Sequence, residues 1–254
     1  MHDEMAMTTP TDAPHAVTIL INLRDIIAAP SVALRRVSAV QTRRDWWFPA
    51  LLALLTPLLH LGLTLDLQIA NAREAAAQQL SLMPPEQAEA ARAMMDAMLQ
   101  PKTMFLTSAA SLLFALLMAW LFAMLILYFG IALLGQPVKV NALWAAVAWT
   151  WIPLALRPLV QLAWTLATGS LLQYQGLSYF VATGDPLADG KNPLVLALAQ
   201  VDLFNLWHLA LIYILLRTVG KRGRGGSLAI LAVYILVLGG AHVIPALITR
   251  LIGF

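Results

Sequence analysis

The run QVDLFNLWHLALIYILLR, residues 200–217, is apolar enough to enter a lipid bilayer, yet it carries Asp202, Asn205 and His208. The chain around it settles what it is. Sixty per cent of the 254 residues are hydrophobic and only 11% are charged, with a mean hydropathy of +0.76. Soluble domains run near half apolar and a quarter charged, so the chain reads as an all-α, polytopic membrane helix bundle, with 200–217 as part of one span. No cysteine is present, which removes disulfides, thiolate metal sites and cysteine nucleophiles together.

A crossing needs about 20 residues of helix. The sequence predicts five, near 46–68, 104–134, 142–168, 194–217 and 226–249. The second is longer than needed and should tilt or protrude. Trp46 and Trp47 mark one interface of the first span, as amphipathic rings do. Along the second, Ser111, Ala115, Ala119 and Ala123 recur every four residues, a small-residue face where helices approach closely. Its partner is a helix of this chain, a second copy, or another membrane protein. No internal repeat supports an inverted-repeat transporter.

Residues 1–17 are polar and acidic, without the basic start and apolar core of a signal peptide, and read as a disordered tail. Residues 18–45 hold five arginines and apolar Ile19, Leu23, Ile26 and Ile27 at helical spacing. Too charged to span, they are expected to form an amphipathic helix on the membrane surface, broken near Pro30 and resuming with Ser31 as cap. Residues 46–254 form the five-span domain. With the N-terminus inside, the inner segments hold Arg24, Arg35, Arg36, Arg43, Arg44, Lys139, Arg217, Lys221, Arg222 and Arg224. The outer ones hold Arg73, Arg92, Lys102, Lys191 and Arg250. Ten against five favours N-in and C-out, so the pI near 9.4 is largely a topology signal rather than one for nucleic acid. Arg35, Arg36, Arg43, Arg44, Lys221, Arg222 and Arg224 are also candidates for anionic lipid headgroups, at about 1 kcal/mol per cation.

The outer loop 70–101 should be mostly helical, with Pro84 and Pro85 starting a second piece. Met94, Met95, Met98 and Leu99 then make an apolar strip beside Glu86, Glu89 and Asp96. An amphipathic helix explains it better than an entrance for a soft metal ion, because no histidine accompanies the methionines. The loop SYFVATGDPLADGKNP, residues 178–193, reads as turns.

Inside the membrane, helical geometry puts Asp202 and Asn205 about 60° apart, with His208 about 60° further round. The third span carries a matching stripe of Thr150, Arg157, Gln161 and Thr168. Arg157 and Asp202 then lie at nearly one depth, where a lone charge costs at least about 2.5–3.5 kcal/mol. The expectation is that they pair, with Gln161 and Asn205 satisfying the leftover donors and acceptors. Pro153 and Pro158 flank Arg157 and free carbonyls that a guanidinium also suits. The cluster is either a structural clasp or the lining of a polar path. His60, His208 and His242 lie in spans too, but their spacing matches no metal motif, so no metal site is expected.

No HExxH, GxSxG, Walker loop or paired glutamates occur, and GKRGRGG, residues 220–226, lacks P-loop spacing. The chain is therefore read as a non-enzyme without a cofactor.

In order along the chain stand IIAAPSVALRRV (26–37), RRDWWFPALLALL (43–55), a PPEQ helix start (84–87) and VDLFNLWHLAL (201–211). Together these resemble the bacterial branch of the Yip1 family of five-span membrane proteins. The most specific piece is DLFNLW, residues 202–207, similar to the family pattern D-[LI]-F-x-[LI]-W, which Asp202, Phe204 and Trp207 match. His208 lies just outside it. Eukaryotic relatives act in vesicle trafficking with Rab GTPases. This chain looks bacterial, where no Rab exists, and the resemblance implies a multi-pass protein of the inner membrane without an assigned activity. Two functions remain open: a membrane-organising or partner-binding protein, and a transporter or channel component moving a small solute or ion between spans three and four.

Overall fold

The computed structural model describes residues 15–39, 46–135 and 138–252, and its regular elements are all helical. Of the expected tail at 1–17, residues 1–14 lie outside the described residues, as do Arg43 and Arg44, while residues 15–17 are not a tail but the start of the first helix. Two helices open the chain, α1 (His15–Ala28) and α2 (Pro30–Ala39). Pro30 can begin a helix but not continue one, so the chain breaks there. The first span is the long α3 (Trp47–Ser81), which at 35 residues is about 52 Å and outruns the bilayer. After a turn, α4 (Pro85–Met98) starts with Pro84 at its cap and buries none of its residues. The second span is α5 (Pro101–Leu133).

The third span runs as α6 (Val140–Thr150) and α7 (Ile152–Thr168), joined at Trp151. Next come a 3-10 turn (Gly176–Phe180), α8 (Pro186–Gly190), α9 (Pro193–Ala199) and α10 (Leu203–Thr218). The last span is α11 (Arg224–Tyr234), a π-helical turn at Ile235–Gly239, and α12 (Gly240–Ile252). Among the described residues four helices are long and apolar enough to cross a membrane, and a fifth if α9 and α10, bent by 65°, count as one span.

The third span is the centre of the bundle. Within its apolar stretch 61% is buried, against 28%, 22% and 17% for the first, second and fifth. The N-terminal pair is packed into the bundle as well. α2 buries Ala33, Leu34 and Val37, packing on α6 and α10, and Ile26 of α1 joins the same core. Arg36 holds the two helices together, donating to Asn22 Oδ1 at 2.9 Å and to Asp25 Oδ2 at 2.7 Å. Of the α1 residues facing away, Val17, Leu20 and Ile27 are exposed and apolar.

Aromatic rings run edge-on through the interior. Trp46 meets Trp144, Trp144 meets Trp120, Trp120 meets Trp151, and Trp151 meets His208, at centroid distances of 5.7, 6.0, 5.6 and 5.7 Å. This is the arrangement that ring quadrupoles favour. Trp46, expected at an interface, is thus turned inward, while Trp47 stays 45% exposed. Of the small-residue face on α5, Ala123 is buried and Ala119 half-buried, whereas Ser111 and Ala115 are exposed.

Candidate functional site

The fourth span is not the continuous helix that its hydropathy suggests. α9 ends at Ala199, and α10 begins at Leu203 with Asp202 in extended conformation at its N-cap. Asp202 Oδ1 accepts from the amides of Phe204 (2.7 Å) and Asn205 (3.0 Å), taking up donors that every helix start leaves open. Oδ2 lies 2.7 Å from Arg157 Nη2, so the expected contact forms. The carboxylate sits at the head of a helix rather than inside it, where the helix dipole also favours its charge.

The unwound residues 200–202 have their carbonyls satisfied. Asn205 Nδ2 donates to the Gln200 carbonyl at 2.7 Å, and the Leu177 amide donates to that of Val201 at 3.1 Å. Such backbone is tolerated at membrane depth only when protein satisfies it. Gly176 makes the approach feasible. It holds φ +60°, and a Cβ there would stand 2.5 Å from the Val201 oxygen. Asn205 and Gln161 were expected to complete the ion pair. Instead Asn205 serves the break, and Gln161 Nε2 donates to Gln175 Oε1 at 3.3 Å. Arg157 Nε and Asp202 Oδ2 are both buried without a hydrogen-bond partner, so the two charges meet as a close ion pair.

Arg157, Gln161 and Asp202 line a groove of about 600 Å³ between α7, α10 and residues 172–177, otherwise walled mostly by apolar side chains such as Val160, Trp164, Leu172 and Phe204. The Arg157 side chain is 22% exposed and that of Asp202 10%.

His208 belongs to a separate polar contact. Its Nδ1 lies 2.7 Å from the carbonyl of Thr150 and its Nε2 2.8 Å from Tyr234 Oη. A carbonyl can only accept, so Nδ1 carries the proton, and a neutral ring then accepts at Nε2 from the tyrosine hydroxyl. The Thr150 carbonyl stands beside the break at Trp151, whose amide turns back three residues to Ala148. One imidazole thereby joins the third, fourth and fifth spans. His242 bonds its own helix at the Leu238 carbonyl, and His60 is half-buried in α3. Among the described residues no group of three His, Asp or Glu could hold a metal.

Of the basic residues proposed for headgroups, Arg36 is engaged with Asp25. Arg222 donates to the carbonyls of Gly220 and Leu134, whereas Arg35, Lys221 and Arg224 are exposed. The loop around α8, expected as turns, is organised by Asp189, 2% exposed. Its carboxylate accepts from the Thr183 and Gly184 amides, the Thr183 hydroxyl and Tyr174 Oη at 2.6 Å. Those bonds, led by the Thr183 amide, hold its carboxyl below the ordinary range, and the tyrosine that donates to it is pushed up.

Sequence reasoning found Arg157 and Asp202 but missed Gln175, Gly176, Thr150's carbonyl and Tyr234. The glycine in a polar loop was the one available signal for the first two. The fold and the paired charges define a multi-pass α-helical membrane protein whose intramembrane polar groups bond mainly to one another. The chain belongs to the Yip1 family, whose Yip1 domain matches residues 24–245. No curated protein and no solved structure matches it.

Proposed function

We propose that the chain is a non-enzymatic membrane-organising or partner-binding protein of the bacterial inner membrane, with its N-terminus inside and C-terminus outside. The observation that carries this reading is the mutual engagement of its intramembrane polar groups. Asp202 serves Arg157 and its own helix start, and His208 serves two other spans. Contacts of this kind between spans shape a bundle.

The orientation is supported by the grouping of basic segments. Arg222 reaches the Leu134 carbonyl, so the loops after α5 and α10 share one end of the bundle. Arg35, Lys221 and Arg224 are the exposed cations for anionic headgroups, and the apolar stripe Val17, Leu20 and Ile27 suits contact with the membrane surface. Ser111 and Ala115 offer the exposed half of a small-residue face to a second copy or another membrane protein.

The groove beside Arg157 favours a second reading, a transporter whose path follows it. Single cysteines at positions 161 and 205 of the cysteine-free chain separate the two. A membrane-impermeant maleimide should leave both unlabelled in intact membranes. Labelling of both from the aqueous side overturns the organising reading in favour of transport.

A further inference from the structure

The groove between α7 and α10 has three features that together define an occupant. Its wall is apolar, its floor carries a guanidinium, and that guanidinium has donors to spare. Oδ1 of Asp202 is taken by two amides, and Oδ2 stands 2.7 Å from Arg157 Nη2 as an ion pair. Arg157 has five N–H donors and lines the groove with its side chain 22% exposed, while the ion pair engages Nη2, so the guanidinium has room for a further acceptor from the groove.

The charge balance narrows that acceptor. Arg157 and Asp202 cancel, so a further anion would bring an uncompensated charge into a mostly apolar groove, whereas a neutral carbonyl adds none. Depth narrows it again. α10 has 16 residues and is about 24 Å long, against about 30 Å of hydrocarbon. With the basic cluster that starts at Arg217 at one boundary, Asp202 lies about 7 Å inside the other. A lipid ester at that boundary has to sink by only about this distance to meet the guanidinium. A volume of about 600 Å³ is within the range of pockets that take one small molecule.

We propose that this groove binds one acyl chain of a glycerolipid from the surrounding bilayer, with its neutral ester carbonyl accepting from Arg157. The chain lies along Val160, Trp164 and Leu206, and the headgroup stays outside. The site stands apart from partner binding, which concerns α5.

The test uses the full-length protein in nanodiscs of ester-linked phosphatidylethanolamine and phosphatidylglycerol, and in discs of the ether-linked analogues. Native mass spectrometry after release counts retained lipid. One ester lipid per chain is expected. Its ether analogue should be held about tenfold less well, the fold-change carried by one hydrogen bond to a charged group. Val160→Trp fills the groove without touching the ion pair and should lose the bound lipid at an unchanged melting temperature. If that variant melts early, Leu206→Trp on the opposite wall takes its place. Equal retention of ester and ether lipids, or undiminished retention in the filled variant, overturns the proposal. So does displacement of the ester lipid by oleate, which would assign the groove to a free carboxylate. Loss of a dimer mass in the filled variant would assign it to a second copy instead.

Discussion

Oδ1 of Asp202 is taken by two amides and Oδ2 by a guanidinium, so substitutions there separate capping from charge. Asp202→Asn keeps a good cap but strands Arg157, at a cost of about 2 kcal/mol; Asp202→Ala should cost about 1 kcal/mol more. Because arginine cannot cap, exchanging the two charges restores the pairing alone. The neutral pair Arg157→Gln with Asp202→Asn should be more stable than the two single losses add up to, as read from thermal melts in detergent. Tyr234→Phe leaves His208 Nε2 without its donor and should cost about 1–3 kcal/mol. If that variant melts with the wild type, the imidazole bridge is not a stabilising contact. For the groups outside the spans, sign decides the acid limb. Asp189 and Asp25 have carboxyls lowered from the ordinary value of 3.8, the latter by Arg36 first and Arg24 next. Their contribution is complete above that value and disappears as pH falls through the lower folded one. Stability should therefore be level from about pH 5 upward and decline below about pH 4, with the decline shallower in Asp189→Asn.

At the scale of elements, the contact between α5 and α11 depends on the absence of a side chain. A Cβ on Gly130 would stand 2.9 Å from Ile230 Cγ2. Gly130→Ala should cost about 1–3 kcal/mol by overpacking, and Ile230→Ala should recover part of it in the double variant. Failure of that rescue would place the strain elsewhere. The fourth span shows where hydropathy stops being informative. Residues 194–217 are apolar on both sides of the break, and apolarity is the same whether the backbone is helical or unwound. The chemistry of the break was on view nonetheless. Asp202 precedes an apolar run as an N-cap does, and Asn192 precedes Pro193 in the same way. Arg157 and Asp202 were legible because two opposite charges at similar depth have few alternatives in lipid. The roles of Gln161 and Asn205 were not, since Gln161 meets Gln175 on a loop that folds back and Asn205 meets the Gln200 carbonyl that the break frees.

For the whole molecule, the spans and the helical class follow from apolar run length, because lipid demands a self-satisfied backbone. Which helix stands at the centre does not follow. The third span, with the lowest hydropathy among the four long candidates, 1.3, is the most buried, since a helix sheathed by others need not match lipid. The N-terminal segment was harder still. Its arginines suggested the surface, whereas Arg36 spends its charge on Asp25 and leaves α2 free to dock by Ala33, Leu34 and Val37. That docking has a consequence for biogenesis. The helices that receive α2, α6 and α10, leave the ribosome more than 100 and 160 residues after it. A nascent chain halted before residue 203 would carry its earliest apolar face with half its seat missing, a ready mark for quality control. The docking of α2 is thus complete only after the fourth crossing has been made.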